Sequence, residues 1–170
     1  VIGACNTLRD RALVFLLVDS GLRSSEALAL NWEDIELASG LVRVKRGKGG
    51  KARSVVVGVK SRRALLKYRR TVNRDLHDPV LQTYQGTRLK YAGLRMALDR
   101  IGLRSEIKIG AHMLRRTFAT LSLRAGINPL HLQALMGHSS LEMTRRYIRL
   151  VDDDLLQAHR QHGPVDKFLS

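Results

Sequence analysis

The 170 residues suffice for one ordinary domain, and 44% of them are hydrophobic, enough to bury a core without disulfide or metal staples. Thirty Lys and Arg against fifteen Asp and Glu leave a formal charge of +15, so the surface carries a positive field that calls for a polyanionic partner. No apolar run approaches the roughly 20 residues that span a bilayer, and the basic residues are spread along the whole chain, which favours nucleic acid over a membrane.

In chain order, "LRDRALVFLLVDS" (8–20) is apolar nearly all round, as a buried central helix should be, with Gly21 placed as its left-handed stop. "RSSEALALNW" restarts a short helix, with Ser24 or Ser25 able to cap and Glu26 in the first turn, where the helix dipole favours a carboxylate. "DIEL", "LVRVKR" and "ARSVVVG", punctuated by Gly and Ser, read as a small antiparallel meander of three strands, with a hairpin tip at 47–51. A very basic helical pattern runs from Arg62 to about Asp75, "HDPVLQTYQGTRLK" is irregular, and "YAGLRMALDRIGL" returns to helix. These two helices read as solvated or DNA-facing.

The last third alternates helices and stops. His112 and Arg115 stand at i and i+3 on a helix that ends at Gly126. Asn128 caps the next, with Pro129 at its first position and Gly137 at its end. "SSLE" (139–142) fits a capping box and opens a further helix that carries Tyr147, leaving His138 in the joint. "DDDLLQAHRQHG" predicts one more helix, and "PVDKFLS" a tail. The expected class is α+β, mainly α, with a small three-stranded antiparallel sheet in a single domain over 1–170. The chain enters its first helix almost at once from Val1, as a piece of a longer protein would.

Several sites are excluded. "GKGGK" is not a nucleotide-binding loop, since Lys48 is followed by Gly49 and the segment leads into a strand. Six histidines and Cys5 offer no familiar ligand spacing, so neither metal nor cofactor is expected. A lone cysteine forms no intramolecular disulfide and fits a reducing cytoplasm, nucleoid-associated if the host is prokaryotic. Taken singly, His112 suits a structural histidine, Arg23 a surface charge and Tyr147 a half-buried aromatic.

Together, "GLRSSE", "GKGGK", "HMLRR", "LMGHSS" and "RRYIRL", in this order, resemble the catalytic domain of the tyrosine recombinases, the phage integrases and Xer-type recombinases. The resemblance runs from "LRDRAL" to "PVDKF". It implies site-specific DNA recombination or integration through a 3′-phosphotyrosyl intermediate, without metal or ATP. It places the catalytic arginines on Arg23 and Arg115, the hairpin lysine on Lys48 with Lys51 as a rival, the histidines on His112 and His138, and the nucleophile on Tyr147. Glu26 falls on a supporting acidic position.

The chemistry suits those residues. Forked guanidinium donors neutralise the non-bridging oxygens of a phosphodiester, with His138 adding a hydrogen bond. A tyrosine hydroxyl needs a base, for which His112 is the candidate, and the departing 5′ oxygen needs an acid, for which Lys48 is. The resemblance further implies an N-terminal core-binding domain outside this chain, tetramers on double-stranded DNA working through a Holliday junction, and a C-terminal "HRQHGPVDKFLS" docking in cis or onto a neighbour. The isolated fragment is expected to be monomeric. Two alternatives stay open: a type IB topoisomerase, and a non-catalytic helix-turn-helix protein using residues 140–150 as recognition helix.

Overall fold

A computed structural model describes residues 1–45, 52–72, 75–137 and 147–148. It divides into two units, residues 1–118 and 119–170.

The first unit is built on α1, Leu8–Ser20, whose Thr7 hydroxyl caps the Asp10 N–H at 3.0 Å. Ala12, Leu13, Leu16 and Leu17 are fully buried, as the all-round apolar pattern predicts. The helix stops at Gly21, whose left-handed φ of 61° is the conformation that only glycine takes cheaply. Space fixes this glycine as well: a Cβ there would lie 2.2 Å from the Phe118 ring. α2, Ser24–Ala29, follows after only three residues.

β1 (Ile35–Glu36), β2 (Leu41–Val44) and β3 (Arg53–Val56) form the expected antiparallel meander in the order β1-β2-β3. Val42 pairs with Val55, and Val44 with Arg53. Alternation puts Val42, Val44 and Val55 on the buried face, and Arg53 shares that face with Val55. The hairpin tip at 47–51 lies outside the described residues.

α3 spans Val59–Arg69, not 62–75. Its start moves forward because Asp19, on α1, accepts the Gly58 N–H at 2.6 Å and the Ser61 hydroxyl at 2.5 Å, a cap supplied from 39 and 42 residues away. Nor is it simply a solvated or DNA-facing helix. Ser61, Ala64, Leu65 and Tyr68 are buried, and α1 is its principal neighbour. Tyr68 meets Trp32 with ring centroids 6.3 Å apart, and the Arg69 guanidinium lies 5.2 Å over the indole. The irregular stretch is held by the Gln82 N–H donating to the Tyr68 hydroxyl, and by Arg88 donating to the carbonyls of Leu28 and Leu30 at the end of α2. α4, Tyr91–Ser105, likewise buries one face, through Leu94, Ala97, Leu98 and Ile101.

α5, Ala111–Arg124, crosses from the first unit into the second. In the second, Gly126 follows with φ 87°, and the Asn128 side chain accepts the Leu130 N–H to open α6, Pro129–Met136, which stops at left-handed Gly137. Each of these boundaries falls where the local sequence sets it. The helices expected from "SSLE" and "DDDLLQ" fall outside the described residues except at Tyr147 and Ile148, which are helical. The architecture is mainly helical with one small three-stranded antiparallel sheet, and no described helix is long and apolar enough to cross a membrane.

Candidate active site

The turn between α1 and α2 carries a partly buried charged cluster around Glu26. Ser20 donates its hydroxyl to the Leu16 carbonyl at 2.5 Å and accepts the Leu22 N–H at 3.3 Å, so the chain leaves α1 on a fixed path. Arg23 then takes the N-cap position with extended φ −69° and ψ 152°. The expected cap, Ser24 or Ser25, is therefore displaced. Glu26 reaches back one turn and accepts the Arg23 N–H at 2.8 Å, the carboxylate half of a capping box, which fixes Arg23 as the first residue of the turn.

The same carboxylate does more than cap. Its Oε1 accepts from the Arg23 guanidinium at 3.1 Å, and both its oxygens accept from the Arg53 guanidinium at 2.8 Å each, a two-pronged pair. Burial works against the Glu26 charge, but the Arg53 hydrogen bonds, the Arg23 N–H and the nearby positive charge overcome it and hold its pKa at about 2. A carboxylate that is ionised more easily when folded stabilises the fold above its ordinary pKa of 4.5, and that contribution is lost as pH falls toward 2. Glu26→Gln is therefore expected to be less stable at neutral pH, by about 3 kcal/mol of titration-linked free energy. Urea midpoints for the two proteins should converge between pH 4.5 and 2. A gap that stays constant through that window would contradict the assignment.

Arg115 reaches the same turn from α5. It is 5% exposed, and its guanidinium donates to the Gly21 carbonyl at 2.6 Å. Gly21 and Arg23 are two residues apart, at most about 7.6 Å along the chain. Two arginines distant in sequence thus converge on one short turn. His112 stands on the first turn of α5, three residues before Arg115, and is exposed. The pair does flank one stretch of helix, but with unequal burial: Arg115 is mostly buried and His112 is exposed.

Tyr147 belongs to the second unit and is 8% exposed. Lys48, its rival Lys51, and His138 lie outside the described residues. The structure therefore brings Arg23, Glu26 and Arg115 together in the first unit, with His112 on the Arg115 helix. Arg53 escaped the sequence reading. A signal for it existed, since the alternation of "ARSVVVG" sets an arginine on the same inward face as Val55, where a cation needs an acidic partner.

Comparison with known proteins supplies the family. The model of the phage integrase family matches residues 1–153. The tyrosine recombinase XerA of Saccharolobus solfataricus is 37% identical over 155 residues, which cover 91% of this chain and 50% of the relative. XerC of Thermodesulfovibrio yellowstonii is 35% identical over 172 residues, covering 94% and 56%. The chain thus spans about half the length of the curated relatives it matches. Among solved structures, XerA recombinase aligns with a TM-score of 0.81 at 28% identity, over 95% of this chain and 61% of that one. XerH recombinase, bound to a palindromic difH substrate in a post-cleavage complex, aligns with a TM-score of 0.73 at 30% identity, over 89% and 45%. The catalytic domain of bacteriophage HP1 integrase shares the fold, with a TM-score of 0.66 at 21% identity, over 98% and 90%.

Proposed function

Because this chain belongs to the phage integrase family and has the fold of the tyrosine recombinase catalytic domains, we propose that it is the catalytic domain of a site-specific recombinase that breaks and rejoins duplex DNA. The observation that carries the proposal is the convergence of Arg23 and Arg115 on the α1–α2 turn, braced by Glu26. Two guanidinium groups held at one turn suit the two non-bridging oxygens of a phosphate, whose charge must be offset as the phosphorus becomes five-coordinate. Of the arginines on Glu26, the Arg23 side chain is 27% exposed against 12% for Arg53, so Arg23 is the one placed to meet a backbone.

In the proposed reaction the Tyr147 hydroxyl oxygen attacks the scissile phosphorus and the bond from phosphorus to the 5′ oxygen breaks. His112 receives the tyrosine proton, Lys48 gives a proton to the leaving 5′ oxygen, and His138 adds a hydrogen bond to the phosphate. A 3′-phosphotyrosyl ester has replaced a phosphodiester, so the number of ester bonds at phosphorus is unchanged. Attack by an incoming 5′ hydroxyl reverses the chemistry on a new partner, which is why rejoining needs no ATP. The charge of +15 supplies sequence-independent affinity for the duplex. The recombinase resemblance supports assembly of four protomers on DNA, with an N-terminal core-binding domain outside these residues, in a nucleoid-associated cytoplasmic protein.

The test is strand transfer. With EDTA present and ATP absent, a nicked duplex from the native recombination site should yield a denaturant-resistant adduct. Adding a duplex with a free 5′ hydroxyl should then move the labelled strand onto it. Transfer that requires a divalent cation or ATP would reject the mechanism, and resealing confined to the original strand would favour the topoisomerase reading.

A further inference from the structure

Arg53 stands outside every motif that points to the active site, yet it makes the strongest bond the supporting carboxylate has. It projects from β3 on the inward face, its side chain 12% exposed, and grips both oxygens of Glu26 at 2.8 Å. Glu26, 2% exposed, spends its remaining acceptor capacity on the Arg23 N–H and the Arg23 guanidinium. A buried carboxylate with one arginine would be free to swing with it. With a second arginine locked to it from a strand, its position is set by the sheet, and the hydrogen bonds it gives Arg23 inherit that position.

We propose that Arg53 is a positioning residue for DNA cleavage: through Glu26 it anchors Arg23 to the sheet, so that the Arg23 guanidinium is presented to the scissile phosphate in one orientation. The proposal rests on the reading of Arg23 as the group that neutralises the phosphate. Arg53 touches no reacting atom. Its work is to keep the shared carboxylate ionised and still, and a neutral residue of similar bulk would leave Arg23 paired to a carboxylate with a second, unoccupied direction in which to turn.

The experiment compares two substrates in single-turnover cleavage by the intact chain. One carries an ordinary scissile phosphate. In the other a methylphosphonate replaces it, removing the negative charge that Arg23 offsets. Arg53→Met is expected to slow cleavage of the ordinary duplex by roughly 10- to 100-fold, the usual cost of removing a supporting hydrogen-bond partner. On the methylphosphonate duplex it should cleave close to the parent's rate, as Arg23→Ala is also expected to. Arg53→Lys, which keeps the charge beside Glu26 but loses the fork, should lose less and be rescued in the same way. It also keeps the test informative if Arg53→Met does not fold.

Equal loss on both substrates by the folded Arg53 variants, with Arg23→Ala rescued, would make Arg53 a purely structural residue and overturn the proposal. Parent-like cleavage of the ordinary duplex by Arg53→Met would overturn it too. Failure of the methylphosphonate to rescue Arg23→Ala itself would remove the reading of Arg23 first, and the role of Arg53 with it.

Discussion

Tyr147→Phe is expected to bind duplex DNA as the parent does and to form no covalent adduct with it. The substitution removes one oxygen from a side chain that is 8% exposed and leaves the ring in place, so the fold should lose about 1 kcal/mol. Binding should survive because it draws on phosphate contacts from many of the thirty Lys and Arg, none of which is altered. The chemistry should not survive, since the phenol oxygen is the atom that joins phosphorus and no neighbouring atom of phenylalanine can replace it. Gel retardation and a denaturing gel on the same samples separate the two effects. An adduct formed by Tyr147→Phe would show that another residue is the nucleophile.

Arg115→Ala is expected to lose on both counts, stability and rate. The guanidinium is buried and donates to the Gly21 carbonyl at 2.6 Å, so its removal strands a carbonyl on the α1–α2 turn and opens space around it. Losing a charge-assisted hydrogen bond and leaving a buried acceptor without it costs about 2–3 kcal/mol. That turn also leads into Arg23, so the phosphate would lose one guanidinium while the chain before the other is loosened. Removing a single preorganised donor from a transition-state oxyanion costs on the order of 100- to 1,000-fold in rate, and Arg115 should sit at the upper end of that range. Arg115→Lys should recover little, because an ammonium cannot donate in two fixed directions to the carbonyl and the phosphate together. Single-turnover cleavage at saturating DNA, at a temperature where urea titration shows each variant folded, isolates the catalytic loss. Cleavage by folded Arg115→Ala within a few-fold of the parent would contradict the role.

What could be read from the sequence is what is set locally. The stop of α1 at Gly21, the three short strands, and the Gly126, Asn128, Pro129 and Gly137 punctuation around α6 each depend on residues within a few positions, and each stands where those residues put it. The misses share the opposite cause. α3 begins early because Asp19 caps it from a different helix, and α2 is opened by Arg23 because Glu26, held by Arg53 from 27 residues away, accepts its N–H. Arg115 could be picked out only through a motif, since its bond to Gly21 spans 94 positions and no periodicity announces it. Helix α3 looked solvated because its many Lys and Arg hide the buried stripe of Ala64, Leu65 and Tyr68. Arg53 was overlooked for a related reason: in a chain with thirty basic residues, one more arginine on a strand carries no signal until its inward face is noticed.

Formation of a phosphotyrosyl bond at one particular tyrosine can be read directly. The adduct trapped on a nicked duplex would be digested with protease and nuclease, and the peptide that retains a nucleotide identified by mass spectrometry. The expected peptide carries a nucleotide joined through its 3′ phosphate to Tyr147. A nucleotide on Tyr68, Tyr84 or Tyr91, or on a residue that is not tyrosine, would contradict it.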